Sequence, residues 1–120
     1  MNFSEIVKHC ASNGLTASEV EEFCAYQSLN LVSFFDGFSG CVAHGYARGE
    51  WDFSLCDAAM NRLIAFANYQ LPNYSRAVFE AFDQGEYHHR QDSPDVDPQE
   101  KYTKPRIARL ITNELGGPAK

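Results

Sequence analysis

Apolar residues recur at intervals of three and four along most of this chain, which is the spacing of one face of an α-helix. In the first such segment, Phe3, Ile6 and Cys10 fall on one face and the Asn13-Gly14 pair follows. No segment shows sustained alternation of apolar and polar residues, so we expect no substantial β-sheet. A length of 120 residues is typical of one domain. The pattern therefore predicts an all-α fold, a single compact bundle of five to six helices spanning residues 1–120.

Residue pairs that cap helices mark several predicted starts. In a capping box, the first side chain accepts a hydrogen bond from a free backbone amide, and an acid three residues later reaches back to the first amide. Three pairs have this spacing: Asn2 with Glu5, Thr16 with Glu19, and Ser54 with Asp57. They predict the starts of the first, second and fourth helices.

The segment 29–47 is apolar on more than one side and predicts a central, largely buried helix. It contains Gly37, Gly40 and Gly45, each of which costs about 1 kcal/mol relative to alanine inside a helix. We therefore expect either a break or a close crossing in this helix.

Residues 86–103 show no apolar periodicity and contain Pro94 and Pro98, so they predict one long acidic loop. A last helix is expected to begin at Pro105, because proline is favoured in the first helical turn. Glycines then end this helix, and 116–120 is predicted to be a flexible tail.

Charge is distributed unevenly along the chain. Residues 80–100 hold seven carboxylates and one arginine, a net charge of −6, which equals the formal net charge of the whole protein. The next twenty residues hold five Lys or Arg and one Glu. An acidic, aromatic segment of this kind favours binding to a positively charged partner. The same balance disfavours direct binding of nucleic acid or of an anionic membrane surface.

The chain shows no targeting or membrane signal. Its first ten residues lack the basic and apolar regions of a signal peptide, and no apolar run is long enough to span a membrane. We therefore expect a cytoplasmic protein. The four cysteines lie about 15 residues apart without a CxxC pair, so in a reducing compartment we expect buried thiols. A disulfide or a zinc site remains an alternative.

Candidate catalytic and metal-binding groups are few. Neighbours such as His88 and His89 point in different directions on an extended chain. The acids that follow Asp92 do not match the spacing of a calcium loop in either register tried. Cys41 and His44 are close enough to touch, but an apolar helix disfavours the thiolate that catalysis needs. We therefore expect no enzymatic activity, no cofactor and no bound metal.

Candidate partner-binding residues come from two places, the acidic segment and the turn that carries the only tryptophan. Trp51 lies between two acids just before a helix, where it fits either an interface anchor or a lid over the core. The predicted binding residues are Glu50, Trp51, Asp83, Glu86, Tyr87, His88, Asp92, Asp95, Asp97 and Glu100.

Three segments carry a resemblance to a known class of protein. They are CDAAMNRL (56–63), AFDQGEYHH (81–89) and YTKPRIARLI (102–111). Within about 41–112 the chain resembles small bacterial immunity proteins, the antidotes encoded beside polymorphic toxins, including those of contact-dependent growth inhibition. The resemblance implies a cytoplasmic protein that binds one cognate basic toxin domain, often a nuclease, and covers its active site.

Two alternatives stay open. The first is a structural or regulatory adaptor of a bacterial or mobile-element system, which would bind another protein through its amphipathic helices. Its basic C-terminal segment carries Lys101, Lys104, Arg106 and Arg109, which could instead neutralise the acidic loop of the same chain. The second is an enzyme or metal protein that uses His44, His88, His89 and Cys41.

Overall fold

The computed structural model describes residues 1–116, with side chains up to Glu114. In chain order its elements are α1 (Phe3–Asn13), α2 (Ala17–Gln27), α3 (Leu31–Ala47), α4 (Phe53–Phe66), α5 (Asn73–Asp83), a π-helical turn (Gln99–Thr103) and α6 (Lys104–Gly116). The described residues contain no β-strand, so the predicted all-α bundle is confirmed. Of the predicted flexible tail, 117–120 lies outside the described residues. No helix in the described part of the chain is long and apolar enough to cross a membrane.

Two of the three predicted capping boxes are present. The Asn2 side chain accepts a 2.9 Å hydrogen bond from the amide of Glu5, and Thr16 accepts one of 3.1 Å from Glu19. In both boxes the glutamate carboxylate accepts from the first amide in return.

The third predicted box is wrong. Asp52 is the N-cap of α4, and its carboxylate accepts a 2.9 Å hydrogen bond from the amide of Leu55. An aspartate two residues upstream of Ser54 satisfies the free amides first. Asp57 consequently lies inside the helix, where its carboxylate is available for other contacts.

The central helix α3 is continuous and passes through the core, with Phe34, Phe38 and Val42 fully buried. The predicted break does not occur, but a close approach does. A Cβ on Gly37 would lie 2.4 Å from the ring of Phe3, and one on Gly45 would lie 2.5 Å from the ring of Trp51. These glycines therefore let aromatic rings from neighbouring segments lie directly against the helix backbone.

The remaining helices surround α3 unequally. The α1 helix packs on α4, while α5 packs on both α3 and α4, and α6 lies against α3 and α5. The fully buried side chains Met60, Leu63, Val78, Phe82 and Ile107 join these helices in one core. By contrast, α2 buries only Val20 and Phe23 and packs along no other helix as closely as the helices named above do.

The π-helical turn before α6 fastens the chain between α5 and α6 to the bundle. Thr103 is fully buried, and its hydroxyl donates a 2.7 Å hydrogen bond to the carbonyl of Ala81. Helical structure thus resumes at Gln99, inside the predicted 86–103 loop, and Pro105 lies within α6 instead of starting the helical segment. Proline has no amide hydrogen to donate, so Pro105 cannot make the usual helical hydrogen bond. The wide π turn just before it fits this missing bond.

Candidate functional site

Asp92 holds the loop that follows α5 (84–98) against the π-helical turn. One oxygen of its carboxylate accepts a hydrogen bond from the ammonium of Lys101, and the other accepts a 2.6 Å bond from the hydroxyl of Tyr102. Its side chain is only 4% exposed. The hydrogen bonds from Lys101 and Tyr102 hold the pKa of Asp92 below its usual value. Asp92 therefore organises the loop from within, although the sequence predicted it to contact a partner.

An aromatic stack forms the second fastening of the loop. The His89 ring lies between the rings of Tyr87 and Tyr102, with centroids 4.7 Å and 4.0 Å away. Its Nε2 donates a 2.9 Å hydrogen bond to the carbonyl of Gln84, and Nε2 of His88 donates one of 2.7 Å to the carbonyl of Ser93. Both histidines thus fold the loop back on itself, while His88 and Tyr87 remain exposed.

The basic segment around the start of α6 is largely engaged by its own chain. Lys101 pairs with Asp92, Lys104 pairs with Glu100 at 2.6 Å, and Arg106 donates a 2.8 Å hydrogen bond to the Gln84 side chain. Two of the seven carboxylates in the acidic segment are therefore neutralised internally. Of Lys101, Lys104, Arg106 and Arg109, the first two neutralise acids of the same chain, as the sequence left open, and Arg106 binds it through Gln84.

A group of acids is left without such compensation. Asp57 on α4, Asp83 at the end of α5 and Glu86 in the following loop form what we call the acidic cluster. Asn61 donates a 2.8 Å hydrogen bond to Glu86 and holds its carboxylate beside α4. Among the described residues, no ion pair involves any of the three acids.

Burial and mutual repulsion disfavour the charged forms of the acids in the cluster. Burial, followed by the hydrogen bond and the charge of Glu86, raises the pKa of Asp57 to about 8. Burial and the charges of Glu86 and Glu80 also raise the pKa of Asp83. A carboxyl group whose proton is retained near neutral pH is one that a nearby cation would stabilise in its charged form. Asp57 was not among the binding residues predicted from the sequence, because its spacing from Ser54 fits a helix cap. Its only signal was an acid beside apolar helix positions.

The other acids predicted in the loop are exposed and shape it locally. Asp95 accepts a 2.6 Å hydrogen bond from the hydroxyl of Ser93, which lowers the pKa of Asp95. Asp97 accepts a 2.9 Å bond from the amide of Gln99 at the start of the π turn. Each of these carboxylates keeps acceptor capacity for a further contact.

The Trp51 turn is placed differently from the acidic cluster. The indole packs on Gly45 and against the buried core, so much of its ring is not available to a partner. Glu50 forms a 2.7 Å ion pair with Arg48, and both side chains are more than half exposed. Of the two interpretations of Trp51, the lid over the core describes its contacts better.

Cys41 and His44, the two groups considered for catalysis, lie three residues apart on α3. Burial raises the pKa of the Cys41 thiol, which disfavours a thiolate nucleophile. His44 lies 3.2 Å from Glu114, and Tyr74 donates a 2.7 Å hydrogen bond to the same carboxylate, so these groups fasten α6 to α3 and α5. The cysteines are free, and in the described residues no three His, Cys, Asp or Glu side chains are placed so that they could hold a metal ion together.

Comparison of the chain with protein-family models, with curated proteins and with solved structures found no match in any of the three.

Proposed function

We propose that this protein is an immunity protein, which binds a cognate basic toxin domain and neutralises it by covering its active-site surface. The observation that carries the proposal is the acidic cluster, in which Asp57, Asp83 and Glu86 gather without a positive partner in the described residues. The chain uses its own lysines on Asp92 and Glu100 and leaves these three acids uncompensated.

An incoming Lys or Arg of the partner would relieve the repulsion within the cluster. The cation would stabilise the ionised form of Asp57, so the pKa of this carboxyl would fall and its proton would be released on binding. A partially desolvated charge pair of this kind slows dissociation, in contrast to an exposed pair at the rim of an interface. Binding energy would therefore be concentrated at the cluster.

The charge of the whole protein would act at longer range. A net charge of −6 attracts a basic partner before contact and raises the association rate at low ionic strength. Toxins that cut nucleic acids need clustered Lys and Arg to hold phosphates, so a nuclease active site is one surface that would fit. The exposed ring of Tyr87, 52% accessible beside Glu86, would supply an aromatic contact.

The proposal is tested with the product of the neighbouring reading frame, expressed as its C-terminal domain. If that domain stops growth in a host cell, co-expression of this protein should restore growth. The Glu86→Lys variant should protect poorly, whereas Glu21→Lys, which makes the same charge change on the exposed side of α2, should protect as the wild type does. Equal protection by both variants, or no protection by the wild type, would remove the proposal.

A further inference from the structure

Polar contacts attach the α2 helix to the N-terminal segment near both of its ends, in addition to the burial of Val20 and Phe23. Near its start, Glu19 lies 2.7 Å from Nε2 of His9 on α1. Near its end, the side chain of Gln27 donates a 3.0 Å hydrogen bond to the carbonyl of Met1. Between these polar contacts, Phe23 is the main side chain that α2 inserts into the core, where it packs on Phe3 and Phe34.

An open groove of about 380 Å³ lies between the two points of attachment, and we call it the α1–α2 groove. Its floor is apolar and includes Ile6 and Phe23, both of which are buried. The other lining residues are Glu19, Glu22 and Tyr26 on α2, together with Met1 and His9. The groove is large enough for two or three aliphatic side chains and lies at the lower end of the usual size range of binding pockets.

An exposed aromatic side chain, Tyr26, lines the groove and is 80% exposed. Leu31 and Val32, at the start of the next helix, are 51% and 56% exposed. Single exposed apolar residues need no explanation, but an exposed aromatic ring on an open apolar groove is typical of a surface that another protein covers.

The charge of α2 restricts what could occupy the groove. The helix carries Glu19, Glu21 and Glu22 and contains no Lys or Arg. The backbone of Thr16, followed by the side chain of His9, lowers the pKa of Glu19, so its carboxylate is ionised where it lines the groove. A helix lying parallel to α1 and α2 would bury an apolar face on Ile6 and Phe23 and could place cations beside these glutamates.

We propose that the α1–α2 groove binds a basic amphipathic helix of a protein partner, with aliphatic side chains in the groove and Lys or Arg beside Glu19 and Glu22. This surface is built from α1 and α2, whereas the acidic cluster is built from α4, α5 and the loop after α5. The two proposals therefore stand or fall separately.

The test uses the whole protein labelled with ¹⁵N and a synthetic helix of about 18 residues, in which Leu recurs at three- and four-residue spacing and the other face is Lys. Amide signals of α1 and α2 should shift on titration. A matched peptide with Glu in place of Lys should leave them unchanged. Signals near Glu86 are recorded separately, because they report the acidic cluster.

Two matched variants decide whether the groove is the site. Glu22 lines the groove, whereas Glu21 is exposed and does not. Glu22→Lys should raise the Kd obtained from the shifts in α1 and α2 by about tenfold or more. Glu21→Lys should bind the peptide nearly as the wild type does. Equal weakening by both variants, or shifts confined to the acidic cluster, would overturn the proposal. So would concentration-dependent dimers that Tyr26→Ser abolishes, because the occupant would then be a second copy of this chain.

Discussion

The hydroxyl of Tyr102 donates a 2.6 Å hydrogen bond to the carboxylate of Asp92, and so ties the π turn before α6 to the loop that follows α5. Lys101 binds the other oxygen of the same carboxylate. This arrangement divides the acids of the segment into those that fold the loop and those that remain available to a partner. Charge counted along the sequence does not make that distinction.

The first prediction concerns this internal acid. Asp92→Asn should make the loop amides between His88 and Asp97 exchange with solvent about tenfold faster and should lower the Tm by a few degrees, because the pairing with Lys101 is lost. Tyr102→Phe should do the same to a smaller extent, since it removes one neutral donor. Hydrogen exchange followed by mass spectrometry measures the loop directly. Unchanged exchange in Asp92→Asn would show that the carboxylate does not organise the loop.

The second prediction is a pH dependence of stability that arises from Asp57. Its pKa is raised from the ordinary value of 3.8 to about 8, so the folded protein holds this proton more tightly than the unfolded chain does. The stabilisation is therefore complete below about pH 4 and is lost as the pH rises toward 8. Relative to the wild type, Asp57→Asn should gain about 1–2 kcal/mol in free energy of unfolding between pH 5 and pH 8, a figure reduced for solvent screening.

Urea denaturation at the two pH values measures this difference. Asp95→Asn is the control, because a hydrogen bond from Ser93 lowers the pKa of Asp95 and its contribution is lost only as the pH falls. It should show no gain toward pH 8. If Asp57→Asn also gains no stability toward pH 8, burial and the neighbouring acids do not raise the pKa of Asp57 as we describe.

The third prediction uses two glycines of α3. Gly45→Ala should destabilise the protein by about 1–3 kcal/mol and shift the fluorescence of Trp51, since the new methyl group would overlap the indole. Gly40→Ala should instead be neutral or stabilise by up to about 1 kcal/mol, because its nearest neighbour is the Tyr74 hydroxyl at an ordinary 3.6 Å. Thermal unfolding monitored by tryptophan fluorescence compares the two. A Gly45→Ala protein with native fluorescence and stability would contradict the packing of Trp51 on this helix.

The fourth prediction separates binding from folding at Tyr87. This ring is about half exposed and touches the bundle chiefly through His89. Tyr87→Ala should leave the Tm nearly unchanged and weaken binding of the toxin domain several-fold, by loss of an aromatic contact. His89→Ala, which removes the middle ring of the stack, should lower the Tm as well. If Tyr87→Ala binds as tightly as the wild type, the aromatic contact lies elsewhere.

Local sequence signals predicted the helices well. The capping boxes at Asn2 and Thr16 depend on neighbouring residues only, and both are found as expected. The fourth start was misplaced because Asp52 and Ser54 are both good caps, and the competition between them is decided by where the helix packs.

The candidate site was predicted less completely, because it depends on contacts between distant parts of the chain. Glu86 meets α4 through Asn61, 25 residues earlier. Asp92 is neutralised by Lys101, which belongs to the basic segment that follows. Pairings of this kind follow from how α4, α5 and α6 pack, so the acidic segment alone could not show which of its carboxylates remain available.

The most direct test of the acidic cluster is titration calorimetry with the proposed partner, a toxin domain sought in the neighbouring reading frame, at pH 7 in two buffers with different ionisation enthalpies. The account predicts release of up to about one proton on binding by the wild type and none by Asp57→Asn. It also predicts at least about tenfold weaker affinity for Glu86→Lys than for Glu21→Lys. Equal affinities of these two variants, with no proton released by the wild type, would contradict the account.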